Sequence, residues 1–379
     1  MAARSLARGL LPRPAAGSII GRHLPRRRHV RPRGALLKAI VKEQAGPGAL
    51  LRQVPEPAIT RPDQVLVRVR ATSICGTDYH IYNWDAWSAQ RVHPPRIMGH
   101  EFAGEVLAVG EEVAALRPGD YVSGESHWVC GRCLQCRNDQ KHVCAQTRIL
   151  GVDVDGCFAE LVVVPEASAW RNDPSLPLEI ASIQDPLGNA VHATLAGEVA
   201  GRTVAVLGCG PIGIFSVAVA RAAGAAAVYA TDTKPFRLEL AGRLGADETL
   251  DAATDDVEAE LMARSGGLGV DVVLEMSGAP GAIRQAMRVC RRGGRVSLMG
   301  IPSQRVELDL AEDMIFKGLE VQCIVGRRLY QTWDTMKALL DSGRLDVSAA
   351  ITHTLAFEDY DEGMALMREG LCGKVVFRL

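Results

Sequence analysis

Aromatic side chains are scarce, at 5% of the 379 residues. A nucleic-acid surface built on base stacking needs more of them, so that class of function is disfavoured. Long apolar runs are lacking too. The most apolar stretch, Val204 to Ala220, is interrupted by Gly208, Gly210, Pro211 and Gly213, whereas a lipid-spanning helix needs about 20 predominantly apolar residues. A buried strand and helix around a turn is the better reading, and no membrane partner is expected. Acidic residues are missing from residues 1–42, which hold nine Arg and two Lys. The formal net charge of −1 therefore hides an acidic remainder, with 32 basic side chains against 44 acidic ones. Sequence-independent DNA binding needs a basic face, which such a body does not offer.

What is present points to a two-domain globular chain. The length is generous for one domain, and a hydrophobic fraction of 47% lets each of two domains bury its own core. Residues 1–36 stand apart: they are Arg-rich, and Pro12, Pro14, Pro25 and Pro32 interrupt any helix. They are expected to lie outside the native fold, either as a mitochondrial transit peptide or as an artefact of a true start near Leu37. From Lys38 the signals are β-type. Val65, Val67 and Val69 alternate with Leu66, Arg68 and Arg70, as in a strand with one buried face. Near residue 190 the texture changes to strands alternating with helices: Thr203 to Leu207, Val228 to Thr231, Asp271 to Glu275 and Arg295 to Met299. That alternation implies a doubly wound parallel sheet.

Gly208-Cys209-Gly210-Pro211-Ile212-Gly213 follows the first of those strands and opens a helix, the context a dinucleotide fingerprint requires. Gly208 permits the tight turn, Gly210 admits the pyrophosphate, and Gly213 allows close helix packing. Asp232 ends the next strand. It can accept hydrogen bonds from a ribose and would repel a 2′-phosphate, which favours NAD over NADP; nearby Lys234 and Arg237 weaken that preference.

Of ten cysteines, four fall at Cys130, Cys133, Cys136 and Cys144. Four thiolates in one loop suit a closed tetrahedral zinc site with a structural role, although iron–sulfur ligation uses similar spacing. Cys157, Cys209, Cys290, Cys323 and Cys372 are scattered. Metal binding in a reducing compartment fits this usage better than a disulfide framework. A third cluster is Cys75-Gly76-Thr77-Asp78-Tyr79-His80 with Gly99-His100-Glu101. A catalytic zinc takes about three protein ligands and keeps one position open. Cys75 and His100 supply a thiolate and an imidazole, Glu101 is either a ligand or an outer carboxylate, and Asp185 is a candidate neighbour from the domain junction.

Gly99-His100-Glu101 with Gly104, Gly110 and Val113 resembles the zinc alcohol dehydrogenase signature of the medium-chain dehydrogenase/reductase family. The order of the pieces from Lys38 to Leu379 is similar as well. Within that family, Ile74 to Trp84, Asp185 to His192, Glu275 to Pro280 and Ile315 to Leu319 resemble the bacterial-type threonine dehydrogenase branch. The resemblance implies a GroES-like, mostly β catalytic domain at 38–187 and 328–379, and an NAD-binding Rossmann domain at 188–327. It implies two zinc ions per chain, one catalytic and one structural. Thr77 and His80 would form the proton relay, supported by Asp185, and Ile212, Arg237, Met299, Gly300, Ile301, Ile324 and Val325 would contact the cofactor. L-Threonine is the implied substrate, a homotetramer the implied assembly, and the cytoplasm the implied location. A polyol or butanediol dehydrogenase is the nearest alternative. A catalytically silent dinucleotide-binding protein is the alternative of another class, and the retained Cys75, Thr77, His80 and His100 argue against it.

Overall fold

Val65, Val67 and Val69 are at most 2% exposed on one face of strand Gln64–Ser73, as their alternation predicts. Burying a side chain of this size contributes roughly 1.5–3 kcal/mol, so this strand anchors the first lobe. The computed structural model describes residues 36–379. Strand Gln64–Ser73 pairs antiparallel with Phe102–Val109, with Leu161–Pro165 and, at its C-terminal end, with the last strand of the chain, Lys374–Arg378. Tyr121–Gly124 and Ala169–Arg171 extend the sheet on one side and Ile351–Ala356 on the other. Phe102, Phe158, Phe377 and Ile81 fill the core beneath it. A smaller sheet joins Leu50–Pro55, Leu36–Lys42 and Arg96–Ile97. The expected leader lies outside the described residues except for Leu36, which opens a strand.

The second lobe is a six-stranded parallel sheet. Strand Thr203–Leu207 lies centrally. Ala227–Asp232 and Glu248–Asp251 lie to one side of it, and Val270–Glu275, Cys290–Leu298 and Glu320–Cys323 to the other. The strand order reverses beside Thr203–Leu207, and ligands of such sheets bind at the carboxyl ends of the strands next to that reversal. Helix Pro211–Ala222 follows the central strand, and Ile214, Phe215, Val217 and Val219 on it are fully buried.

Two helices lie close to the expected divisions at 187/188 and 327/328. Helix Gln184–Thr194 runs across the first division and is buried along nearly its whole length. Helix Gln331–Asp341 lies beyond the second, yet Trp333 and Met336 share a core with Val204, Val206 and Phe215. Its apolar face needs a partner, and the helix Gln184–Thr194 supplies one. No helix among the described residues is long and apolar enough to cross a membrane.

Candidate active site

The antiparallel pairing of Gln64–Ser73 with Phe102–Val109 sets Thr72 opposite Phe102. The residues just beyond that register, Cys75 on one side and His100 and Glu101 on the other, are thereby brought together. Their ligand atoms lie within 4.8 Å of one another. Asp78 ties the two segments. Its Oδ2 accepts the Cys75 N–H at 3.0 Å, closing the N-terminus of helix Gly76–Asn83, and its Oδ1 accepts the Gly99 N–H at 3.2 Å. The same oxygen stands 3.4 Å from His100 Nδ1. The contact is a charge contact only, since His100 Nδ1 has no hydrogen-bond partner among the described residues. A carboxylate beside one imidazole nitrogen suits a histidine whose other nitrogen would ligate a metal.

Glu101 is fully buried. Its Oε2 accepts from Lys374 Nζ at 2.5 Å and from the Ser73 hydroxyl, whereas Oε1 has no partner. A buried oxygen without a donor is costly unless a cation completes it. Burial opposes charging His100, but Asp78 and then Cys75 raise its pKa well above the ordinary value. Thiolate, imidazole and carboxylate at this separation fit zinc with a position left over.

Asp185 opens helix Gln184–Thr194 and is buried. It is not among the three residues whose ligand atoms converge. Its oxygens face a buried guanidinium that the sequence did not single out. Arg327 Nη1 is 2.9 Å from Asp185 Oδ2 and Arg327 Nη2 is 2.8 Å from Oδ1. The other edge of Arg327 grips Glu125, with Nε 2.7 Å from Oε2. Trp333 Nε1 donates to the same oxygen at 2.7 Å, and Asn189 Oδ1 accepts from Arg327 at 2.9 Å. A Cβ on Gly188 would sit 2.6 Å from Arg327 Cδ, so glycine is what lets the guanidinium approach the helix. Burial disfavours the Glu125 carboxylate, but Arg327 and then His127 hold its pKa well below the usual range. Arg327 stays charged for the reciprocal reason: burial opposes it, and Asp185 and Glu125 outweigh burial.

The four-cysteine loop is preformed. The Cys144 Sγ lies 3.6 Å from Cys130 Sγ and 3.8 Å from Cys133 Sγ. Four thiolates about 2.3 Å from one zinc ion would be spaced by nearly the same amount. The backbone N–H groups of Cys136 and Ala145 lower the Cys133 thiol to about 6, while burial and then Cys133 push the neighbouring Cys136 thiol up to about 12. All ten cysteines are free thiols.

At the carboxyl end of the parallel sheet, a Cβ on Gly213 would collide with the Gly208 carbonyl oxygen, and open space lies over Gly210. Both are what a pyrophosphate turn requires. Asp232 accepts the Cys209 N–H at 2.8 Å and the Lys234 N–H at 2.9 Å, and Arg237 Nη1 is 3.7 Å away. Met299 and Gly300 donate to the Glu275 carbonyl and Ile324 to that of Leu298, while Ile301 is 90% exposed. These residues, with Ile212 and the exposed Val325, lie at or just beyond the strand ends. Asp232→Gly is expected to weaken NAD+ about tenfold or more and shift preference towards NADP+, with Lys234 and Arg237 then free to meet a 2′-phosphate. Comparing kcat/KM for the two cofactors checks this, and an unchanged ratio would remove Asp232 from the ribose site.

Comparison with known proteins gives the same class. The alcohol dehydrogenase GroES-like domain matches residues 61–174, and the zinc-binding dehydrogenase domain matches residues 211–342. The L-threonine 3-dehydrogenase of Symbiobacterium thermophilum is 52% identical over 341 residues, covering 90% of this chain and 97% of that protein. That of Bacillus licheniformis is 49% identical over 340 residues, covering 90% and 98%. Among solved structures, the alcohol dehydrogenase TADH from Thermus sp. ATN1 superposes with a TM-score of 0.83 at 32% identity, over 90% of this chain and 99% of that one. The chain belongs to the zinc-binding alcohol dehydrogenase family, with a GroES-like domain and a Rossmann-type nucleotide domain.

The sequence missed Asp78 as a bridge, and also Glu125, Lys374 and Arg327. Asp78 carried a signal, a carboxylate three residues after the helix cap Cys75. Lys374 carried one too, as a charge at the head of the apolar strand Lys-Val-Val-Phe. Arg327 and Glu125 carried none.

Proposed function

We propose that this protein oxidises the 3-hydroxyl of L-threonine to L-2-amino-3-oxobutanoate with NAD+ as hydride acceptor. The observation that carries the reading is the identity of about half to two bacterial L-threonine 3-dehydrogenases across nine-tenths of the chain. Cys75, His100 and Glu101 would hold the catalytic zinc, and Cys130, Cys133, Cys136 and Cys144 the structural one. A bound zinc supplies Lewis acidity that lowers an alcohol's pKa towards neutrality, and NAD+ supplies the acceptor for the hydride. The chain supplies the rest. Asp78 orients Cys75 and His100, and Lys374 holds Glu101. Thr77 lies 3.9 Å from Cys75 Sγ through its hydroxyl and passes the substrate proton outward. His80, one turn along the same helix, accepts it. Asp185 supports that transfer from the junction, where Arg327 fixes its orientation. Asp232, Arg237 and the turn from Gly208 to Gly213 bind the adenosine and pyrophosphate.

A pocket that pairs both the ammonium and the carboxylate of threonine rejects alcohols lacking them, because its own polar groups would be left unpaired. L-Threonine is therefore expected to exceed 2-butanol, sorbitol and 2,3-butanediol in kcat/KM by at least about a hundredfold. Sorbitol or butanediol matching threonine at saturating NAD+ would overturn the substrate and leave the family intact.

The assembly belongs to the same reading as a homotetramer. Strand Glu320–Cys323 is an edge of the parallel sheet, and Leu310, Ile315 and Phe316 ahead of it are more than half exposed. An open edge flanked by apolar side chains invites a second copy. Light scattering is expected to give four chains, and Phe316→Glu a smaller species. The cytoplasm is the proposed location, supported by the free thiols.

A further inference from the structure

Oxidation of an alcohol by NAD+ yields a ketone, NADH and one proton, and the proton has to leave. His80 is 58% exposed on its side chain, and its Nδ1 lies 2.6 Å from Asp85 Oδ2. The chain turns back to make this contact. Trp84 ends helix Gly76–Asn83 in the left-handed region, at φ 58°, with its N–H returned to the Ile81 carbonyl at 3.2 Å. A non-glycine residue pays for that conformation with roughly 1–2 kcal/mol. Lys42 helps to hold it, with Nζ 5.0 Å above the Trp84 ring and 3.2 Å from the Tyr82 carbonyl. Asp85 is the cap of the next helix, Ala86–Arg91, where its Oδ1 accepts the Ser88 N–H at 2.9 Å and the Ser88 hydroxyl at 3.0 Å. One carboxylate thus has one oxygen fixed by a helix start and the other aimed at His80. Burial alone would raise its pKa, but the Ser88 bonds and then His80 lower it, so it remains ionised. The Trp87 ring stands edge-on to His80 at 6.4 Å.

We propose that Asp85 is a positioning residue for the outgoing proton: it holds the Nδ1–H of His80, leaving Nε2 as the accepting nitrogen. The inference rests on the dehydrogenase reading above. One proton enters at Nε2 to give the imidazolium, whose charge the Asp85 carboxylate offsets without taking a proton. One proton then leaves from Nε2 to a water or buffer base on the exposed side, restoring the neutral Nδ1–H imidazole. Asp85 itself stays unprotonated throughout, as an orienting carboxylate does.

The test is the single-turnover rate of NADH formation with threonine in dilute HEPES, for the zinc-loaded enzyme. Asparagine is as good a helix cap as aspartate, so Asp85→Asn keeps the Ala86–Arg91 helix start and removes the charge. The expected loss is about ten- to a hundredfold, with KM for NAD+ and zinc content unchanged. Raising HEPES at constant ionic strength should restore the rate, because an external base replaces the impaired acceptor. Asp85→Ser, another capping residue, should behave alike. A rate equal to the parent enzyme's, or a loss that buffer does not relieve, would overturn the inference. His80→Ala separates the levels. If it is slow and buffer-rescued while Asp85→Asn is fast, only Asp85 loses its role. If His80→Ala is itself as fast as the parent, the relay reading fails with it.

Discussion

Cys75→Ser is expected to cut threonine turnover by at least about a thousandfold while leaving the fold and one zinc per chain in place. Lewis-acid stabilisation of a developing alkoxide is worth several kcal/mol, and each 1.36 kcal/mol is about tenfold in rate. Three ligand atoms converge there among the described residues, so losing the thiolate would remove a third of the proposed set. The remaining contacts of the segment do not depend on sulfur. The Cys75 N–H still reaches Asp78, and the strands on either side stay paired. Cys133→Ser is expected to act in the opposite sense. Binding of structural zinc is folding free energy for a small lobe of this kind, so the loop from Cys130 to Cys144 should lose order and the protein solubility. Elemental analysis beside the rate measurement distinguishes the two. A single zinc that survived Cys75→Ser and vanished in a fully active Cys133→Ser variant would show that the catalytic site lies elsewhere.

Arg327→Met is expected to destabilise the protein by about 3–5 kcal/mol, because it strands buried carboxylates that share one cation. Glu125 and Asp185 are each held at two points by this guanidinium, and all three side chains are at most 5% exposed. The effect has a defined pH dependence. Glu125 has a depressed pKa in the folded protein. Its contribution is complete above the ordinary glutamate value of about 4.3 and is lost as pH falls through the depressed value. The gap in stability between parent and variant should therefore be widest near neutral pH and narrow below about pH 4. Denaturant midpoints at several pH values measure it. Adding Glu125→Gln to Arg327→Met should recover part of the loss, since one of the unpaired charges is gone. Equal midpoints for parent and Arg327→Met at pH 7 would show that the network does not hold the lobes' junction together.

The parts that the sequence by itself determined are those fixed within a few residues of chain. Four cysteines in fifteen residues are kept close by the chain itself, and their spacing made the candidate metal loop readable. The glycine turn was readable because a strand before it and a helix after it leave one conformation for the backbone. Val65, Val67 and Val69 declared their face by alternation, a rule of the strand itself. The pair Cys75 and His100 was legible as chemistry. That they meet was decided by the antiparallel register of Gln64–Ser73 with Phe102–Val109, and by Asp78 reaching from one segment to the other. Asp185 was placed at the junction from its sequence position, but its partner was not. Arg327 lies 202 residues from Glu125 and 142 from Asp185. No local pattern of charge or spacing records such an encounter. Helix Gln331–Asp341 buries Trp333 in the second lobe, and the Trp333 Nε1–H meets the Glu125 oxygen that Arg327 also holds. In that low-dielectric site a guanidinium and two carboxylates must satisfy one another, and only the packed tertiary structure decides which ones do.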